Sequence, residues 1–240
     1  MRNRKSMKPK RMARIAVLTG AGISAESGIK TFRDAGGLWE GYKIEDVATP
    51  EAWRRQPSVV LDFYNERRKQ LLNVLPNVAH LSLKLLEKHH EVIIITQNVD
   101  DLHERAGSSH IIHLHGELLK VRSTADELLV YEWKKDLVLG DVCSRGSQLR
   151  PHIVWFGEMV PLLETAVEEV LKADVVIIIG SSMQVYPAAG LVGYAPPDAA
   201  VYYIDPRPQI NFEMRMRPGL EIIEKSAVEG VPELIKRLNS

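Results

Sequence analysis

The sequence predicts a doubly wound α/β fold, and three observations carry that prediction. Short β-branched, apolar runs recur at residues 15–18, 92–95, 175–179 and 201–204. Uninterrupted runs of this length suit strands buried on both faces of a parallel sheet. Stretches of helical spacing lie between them, as an alternating α/β chain requires. Finally, the runs end in glycine, hydroxyl, amide or acidic residues, and ligands of such folds sit beyond the carboxyl ends of the strands.

The first run leads straight into Gly20, Ala21, Gly22 and Ser24, with Gly28 following late. Small residues after a strand let backbone N–H groups approach a phosphate, although the spacing departs from the usual GxGxxG. Phe32-Arg33-Asp34 and Gly36-Gly37-Leu38-Trp39 are too polar and glycine-rich for a core helix and read as a loop over the site. Thr49 before Pro50 is an N-cap followed by a first-turn proline. Pro57 starts a helix to about Leu72, with Val59, Val60, Phe63 and Leu71 inward. Asn77 caps a third helix, which carries Leu81 and Leu85. The run at 92–95 ends in Gln97, Asn98, Val99 and Asp100, and a short strand over 111–116 ends in His115-Gly116. Residues 117–150 give no readable element. A strand is expected over 152–156 and a helix over 163–172. The run at 175–179 ends in Gly180, Ser181 and Ser182, and the run from 201 ends in Asp205. A strand over 220–223 and a helix over 231–238, with Pro232 in its first turn, close the chain. The polar residues at the strand ends are expected to converge on one crevice.

The totals bound the function. The chain has 240 residues, 45% hydrophobic and 26% charged, with 31 basic residues against 31 acidic ones. That balance calls for neither nucleic acid nor an acidic membrane as partner. The first eleven residues are rich in lysine and arginine and read as a basic flexible tail. No apolar run approaches the ~20 residues of a membrane span, and the basic start leads into no signal-peptide core. Cys143 is the single cysteine, so no intrachain disulfide forms and a cytoplasmic setting is expected.

Five motifs in order, GAGISAESGIKTFR, TQNVDDLHERAG, HLHGE, VWFGE and GSSMQVYPAAG, resemble those of the sirtuins, the NAD-dependent protein deacylases. The resemblance runs from about Arg14 to Leu238. It implies a Rossmann-like NAD-binding domain over 12–40, 76–116 and 151–240, with a smaller inserted domain over 41–75 and 117–150. Tyr64 and Arg67 in FYNERR resemble the mark of the bacterial and mitochondrial subgroup that prefers acidic acyl groups. At i and i+3 they share a helix face, and together they offer a carboxylate one hydroxyl and one guanidinium.

The resemblance also implies roles. Gly20, Ala21, Gly22 and Ser24 would meet the NAD pyrophosphate side, with Phe32, Arg33 and Trp39 covering the nicotinamide ribose. Gln97 would bond a ribose hydroxyl, and Asn98, Val99 and Asp100 would line the nicotinamide pocket. Gly180, Ser181, Ser182 and Asp205 would hold the adenosine side, and Ser226 or Ala227 would meet the adenine. His115 would be the general base, since an imidazole accepts a proton near neutrality. Asn98 and Asp100 would share the catalytic pocket. Val154, Phe156, Gly157 and Glu158 would hold the substrate peptide as an added strand. The products would be nicotinamide, free lysine and O-acyl-ADP-ribose, from acetyl and from succinyl or malonyl groups.

His113, His103 and His80 are expected to be structural and Arg68 and Lys69 a solvated face; the four tryptophans read first as packing, with Trp39 also bordering the cofactor loop and Trp155 near the peptide groove as the alternatives. The family's structural zinc uses four cysteines, and one thiolate cannot make such a site, so no zinc is expected and residues 117–150 must rely on packing alone or be loose. A monomer acting on acylated-lysine proteins is expected. A mono-ADP-ribosyltransferase and a non-catalytic NAD or ADP-ribose-binding module remain as alternatives.

Overall fold

The computed structural model describes residues 12–30 and 41–239. The chain opens with β1 (Arg14–Thr19), then α1 (Ile44–Val47), α2 (Pro50–Arg55), α3 (Pro57–Leu72) and α4 (Val78–Leu86). Next come β2 (Glu91–Thr96), α5 (Leu102–Arg105), β3 (Ile111–His113), β4 (Gly116–Ser123), β5 (Val130–Glu132) and β6 (Leu149–Ile153). The last third holds α6 (Leu163–Leu171), β7 (Val175–Ile179), β8 (Ala200–Ile204), α7 (Phe212–Arg215), β9 (Glu221–Ile223) and α8 (Ala227–Leu238).

Six strands form one sheet in the order β3-β2-β1-β7-β8-β9, and every pairing is parallel. The order reverses between β1 and β7, which is where a doubly wound sheet opens a crevice. The apolar runs alternate their side chains between two layers. Ala16, Leu18, Ile93, Ile95, Val176 and Ile178 meet Ala166 and Val170 of α6 on one face. Ile15, Val17, Ile94 and Ile177 meet Leu83 and Leu86 of α4 and Val231 and Leu234 of α8 on the other. Local signals behave as their chemistry dictates. The Thr49 hydroxyl accepts from Ala52 N at 3.1 Å, and Asn77 caps α4 by accepting from Ala79 N at 2.9 Å.

Several expectations are corrected. The strand expected over 111–116 is only three residues long; Leu114 and His115 form a turn and Gly116 begins a strand of a different sheet. The strand expected over 152–156 is β6, which ends at Ile153. The closing helix begins at Ala227, because Ser226 takes the extended N-cap conformation, so Pro232 lies inside it and not in its first turn. Residues 117–150 are ordered by more than packing: β5-β4-β6 is an antiparallel sheet. Arg68 is no solvated charge. It is 1% exposed and donates to Leu118 O at 3.1 Å and to Asn65 Oδ1 at 2.7 Å, tying α3 to β4. Lys69 is exposed, as expected, beside Glu66 and Asp136.

Candidate active site

The crevice beyond the strand ends holds a cavity of about 440 Å³. Its polar groups follow the sheet. Asp205 leaves β8, Gly180 leaves β7, Gly20 leaves β1, Gln97 leaves β2 and His115 follows β3. Four strand spacings of about 4.8 Å give roughly 19 Å, enough for an extended dinucleotide. The floor is made by backbone. A Cβ added to Gly22 would lie 2.6 Å from Gly180 Cα, and one on Gly20 would lie 2.8 Å from Gly180 O. Gly180 itself has φ +58, which favours glycine. These glycines therefore let the β1 and β7 loops touch each other, a role the sequence did not suggest.

Every expected site residue within the described range lines this one cavity. Ala21 and Ser24 join the glycines on its floor, and Gln97, Asn98, Val99 and Asp100 form the β2 side. Ser181, Ser182 and Asp205 lie with Ser226 and Ala227 beyond β7 and β8. Phe32, Arg33 and Trp39 fall outside the described residues. Ser24 links the pocket: its hydroxyl donates to Asp100 Oδ2 at 2.9 Å and accepts from Asn98 Nδ2 at 3.2 Å. Gln97 donates to Ser181 Oγ at 3.0 Å, joining the two halves of the crevice. Burial pushes the Asp100 carboxyl up to about 6, against the bonds from Leu102 N and Ser24 that favour its charged form.

His115 Nδ1 lies 3.0 Å from Gln97 O. A carbonyl only accepts, so Nδ1 carries the hydrogen and Nε2 keeps the lone pair of a base. Burial lowers its pKa, with the Gln97 carbonyl opposing, so the ring is neutral and able to take a proton at pH 7. The other histidines serve the frame. His80 completes the α4 cap, His103 bonds Thr19 Oγ1 at 3.1 Å, and His113 bonds Glu104 at 2.6 Å.

Tyr64 and Arg67 of α3 line the same cavity, as do Val154, Phe156, Gly157 and Glu158. Tyr64 is buried, and burial pushes its hydroxyl far above the ordinary 10, so it stays protonated. Arg67 donates to Phe63 O at 2.7 Å, its guanidinium 3.8 Å above the Phe63 ring. The Val154 and Phe156 N–H groups already bond His115 O and Ala48 O, both at 3.0 Å, so neither N–H is open to an added strand.

A model of the Sir2 family matches residues 20–187. The chain belongs to the Sir2 family. The NAD-dependent protein deacylase of Helicobacter pylori (strain J99) is 58% identical over 227 residues, covering 95% of this Sir2 chain and 96% of the relative. That of Bacteroides thetaiotaomicron is 56% identical over 229 residues, 93% and 97% of the two chains. A solved Sir2 homologue in complex with NAD superposes with a TM-score of 0.82 at 39% identity, covering 95% of this chain and 90% of that one. The Sir2 fold accounts for both sheets.

A four-cysteine zinc does not fit the donors of this Sir2 chain. Cys143 is its only cysteine and packs with Leu61, Val121, Leu137 and Leu149. Among the described residues, the group of three His, Cys, Asp or Glu side chains close enough to share an ion is Glu104, His113 and Glu117, which does not include Cys143. Hydrogen bonds hold this layer: Asn65 Nδ2 donates to Leu137 O at 3.0 Å and Leu137 N donates to Asn65 Oδ1 at 2.9 Å. Asn65, Arg122 and Arg150 are structural anchors that sequence reasoning missed. None of the three carries a spacing signal in the sequence.

Proposed function

We propose that this chain is an NAD-dependent protein-lysine deacylase that favours acidic acyl groups, succinyl or malonyl, over acetyl. The observation that carries the preference is the presence of Tyr64 and Arg67 on the same cavity lining as His115, Asn98 and Asp100. A protonated phenol and a guanidinium both donate, which suits a carboxylate and gives a methyl group nothing. NAD, when bound, supplies the bond to nicotinamide whose cleavage makes the ribose carbon electrophilic. The chain's own groups do the rest. The floor of Gly20, Gly22 and Gly180 and the Ser181–Gln97 bond frame the pyrophosphate and ribose, and Asp205 accepts ribose hydroxyls. Asn98 and Asp100 orient the carboxamide, and His115 Nε2 takes the hydroxyl proton. The carbonyls of Val154 and Phe156 align the acylated peptide. A reducing cytoplasm is in keeping with the single cysteine, and the chain is taken to act as a monomer.

The deciding experiment incubates the protein with acetyl-, succinyl- and malonyl-lysine peptides, with and without NAD. Faster NAD-dependent loss of the acidic acyl groups is expected. Preference for acetyl sinks the specificity. NAD consumption with label on protein and no acyl loss would mean an ADP-ribosyltransferase, and NAD binding without turnover a binding module.

A further inference from the structure

The Tyr64 hydroxyl is held by a residue from a distant part of the chain. Trp155 Nε1 lies 3.0 Å from Tyr64 OH, and both side chains are buried. An indole N–H can only donate. The phenol oxygen is therefore the acceptor, and this bond sets the direction in which Tyr64 offers its own proton.

Trp155 is itself clamped. Its ring lies 5.8 Å from that of Trp53, centroid to centroid, and the Arg150 guanidinium sits 3.4 Å above it. Arg150 stands directly opposite Arg122 across the β4–β6 ladder, a like-charge pair that repels unless something intervenes. Glu158 intervenes. It accepts from Arg150 Nη1 at 2.7 Å, from Arg150 Nη2 at 3.1 Å and from Arg122 Nη2 at 3.3 Å. The same carboxylate accepts the backbone N–H of Trp155 at 2.8 Å. One half-buried acid thus fixes the backbone of the indole and the cation stacked upon it.

We propose that Trp155 is a positioning residue for acyl recognition, with Glu158, Arg150 and Arg122 as the clamp that holds it. The proposal rests on the reading of Tyr64 as a carboxylate-recognising group. Loss of the indole donor releases the orientation of the phenol, and this weakens a bond that a succinyl group makes and an acetyl group does not.

The test is Trp155→Phe, which keeps an aromatic ring under Arg150 and removes the donor. With succinyl- and acetyl-lysine peptides at saturating NAD, KM for succinyl is expected to rise about tenfold relative to KM for acetyl, the loss of one hydrogen bond to a charged group. The succinyl-to-acetyl ratio of kcat should stay within about twofold, since positioning acts here on binding. In a Tyr64→Phe background, Trp155→Phe should change that KM ratio no further. Parallel changes for both peptides, or additive losses in the double variant, would overturn the proposal. If Trp155→Phe does not fold, 3-benzothienylalanine at position 155 keeps the shape of the indole without its N–H and is read by the same criteria. A wild-type protein without preference for succinyl would instead reject the reading of Tyr64, and the positioning role with it.

Discussion

Asp100 shows how a single carboxyl can be costly for the fold and still be kept in the lining of the cavity. It is buried beside Ser24, and burial raises its pKa from the ordinary 3.8 to about 6. For an acid, a raised folded-state value means that ionisation opposes folding. The penalty is absent below 3.8, grows as pH rises from 3.8 to about 6, and is complete above. A shift of about two units corresponds to roughly 2–3 kcal/mol. Asp100→Asn keeps the shape and removes the charge, so it should be more stable than wild type by on the order of 2 kcal/mol at pH 8, by less at pH 5, and lack deacylase activity. Urea unfolding at the two pH values measures this; a variant no more stable than wild type at pH 8 would show that the ionised carboxylate is well accommodated.

Helix α3 and the antiparallel layer depend on each other through Asn65, which serves both backbone groups of Leu137 and one nitrogen of Arg68. Truncating it leaves buried donors and an acceptor without partners. Asn65→Ala is therefore expected to cost at least about 2 kcal/mol, whereas Lys69→Ala, on an exposed pair, should stay within about 0.5 kcal/mol. Equal effects in urea unfolding would show that the layer is held otherwise. The same helix shows where sequence reading stops. Its bounds were legible from Pro57 and the apolar spacing. Arg68 was not, because a run of charges looks alike whether water or a carbonyl such as that of Leu118 receives it. Strand β4 and the first residues of β6 were illegible for a related reason. Arg122 and Arg150 are buried in them by virtue of Glu158, a partner remote from Arg122 in sequence, so no alternation marks an inner face. The parallel strands needed no such partner, since residues such as 92–95 are apolar throughout.

On the scale of the molecule, the crevice was legible because a parallel sheet brings its strand ends together whatever lies between them, so Gly20, Asn98, His115 and Gly180 could be assigned to one place. The layer over 117–150 was not, and its stability without a four-cysteine metal site is a property of the whole chain. Prolonged chelation should leave both the melting temperature and the activity unchanged, and metal analysis of the purified protein should find no stoichiometric zinc; a fall in melting temperature would mean that an ion replaces some of the bonds described. The contact between Gly22 and Gly180 has a different kind of consequence. Each glycine is boxed in by the main chain of the other, so no single base change at either codon yields a side chain that fits. Drift at one loop cannot be absorbed by adjusting the side chain opposite, because there is none to adjust. The neighbouring positions are left to carry the variation, and libraries aimed at new acyl specificity would lose fewest members by fixing these two and diversifying the wall around Tyr64.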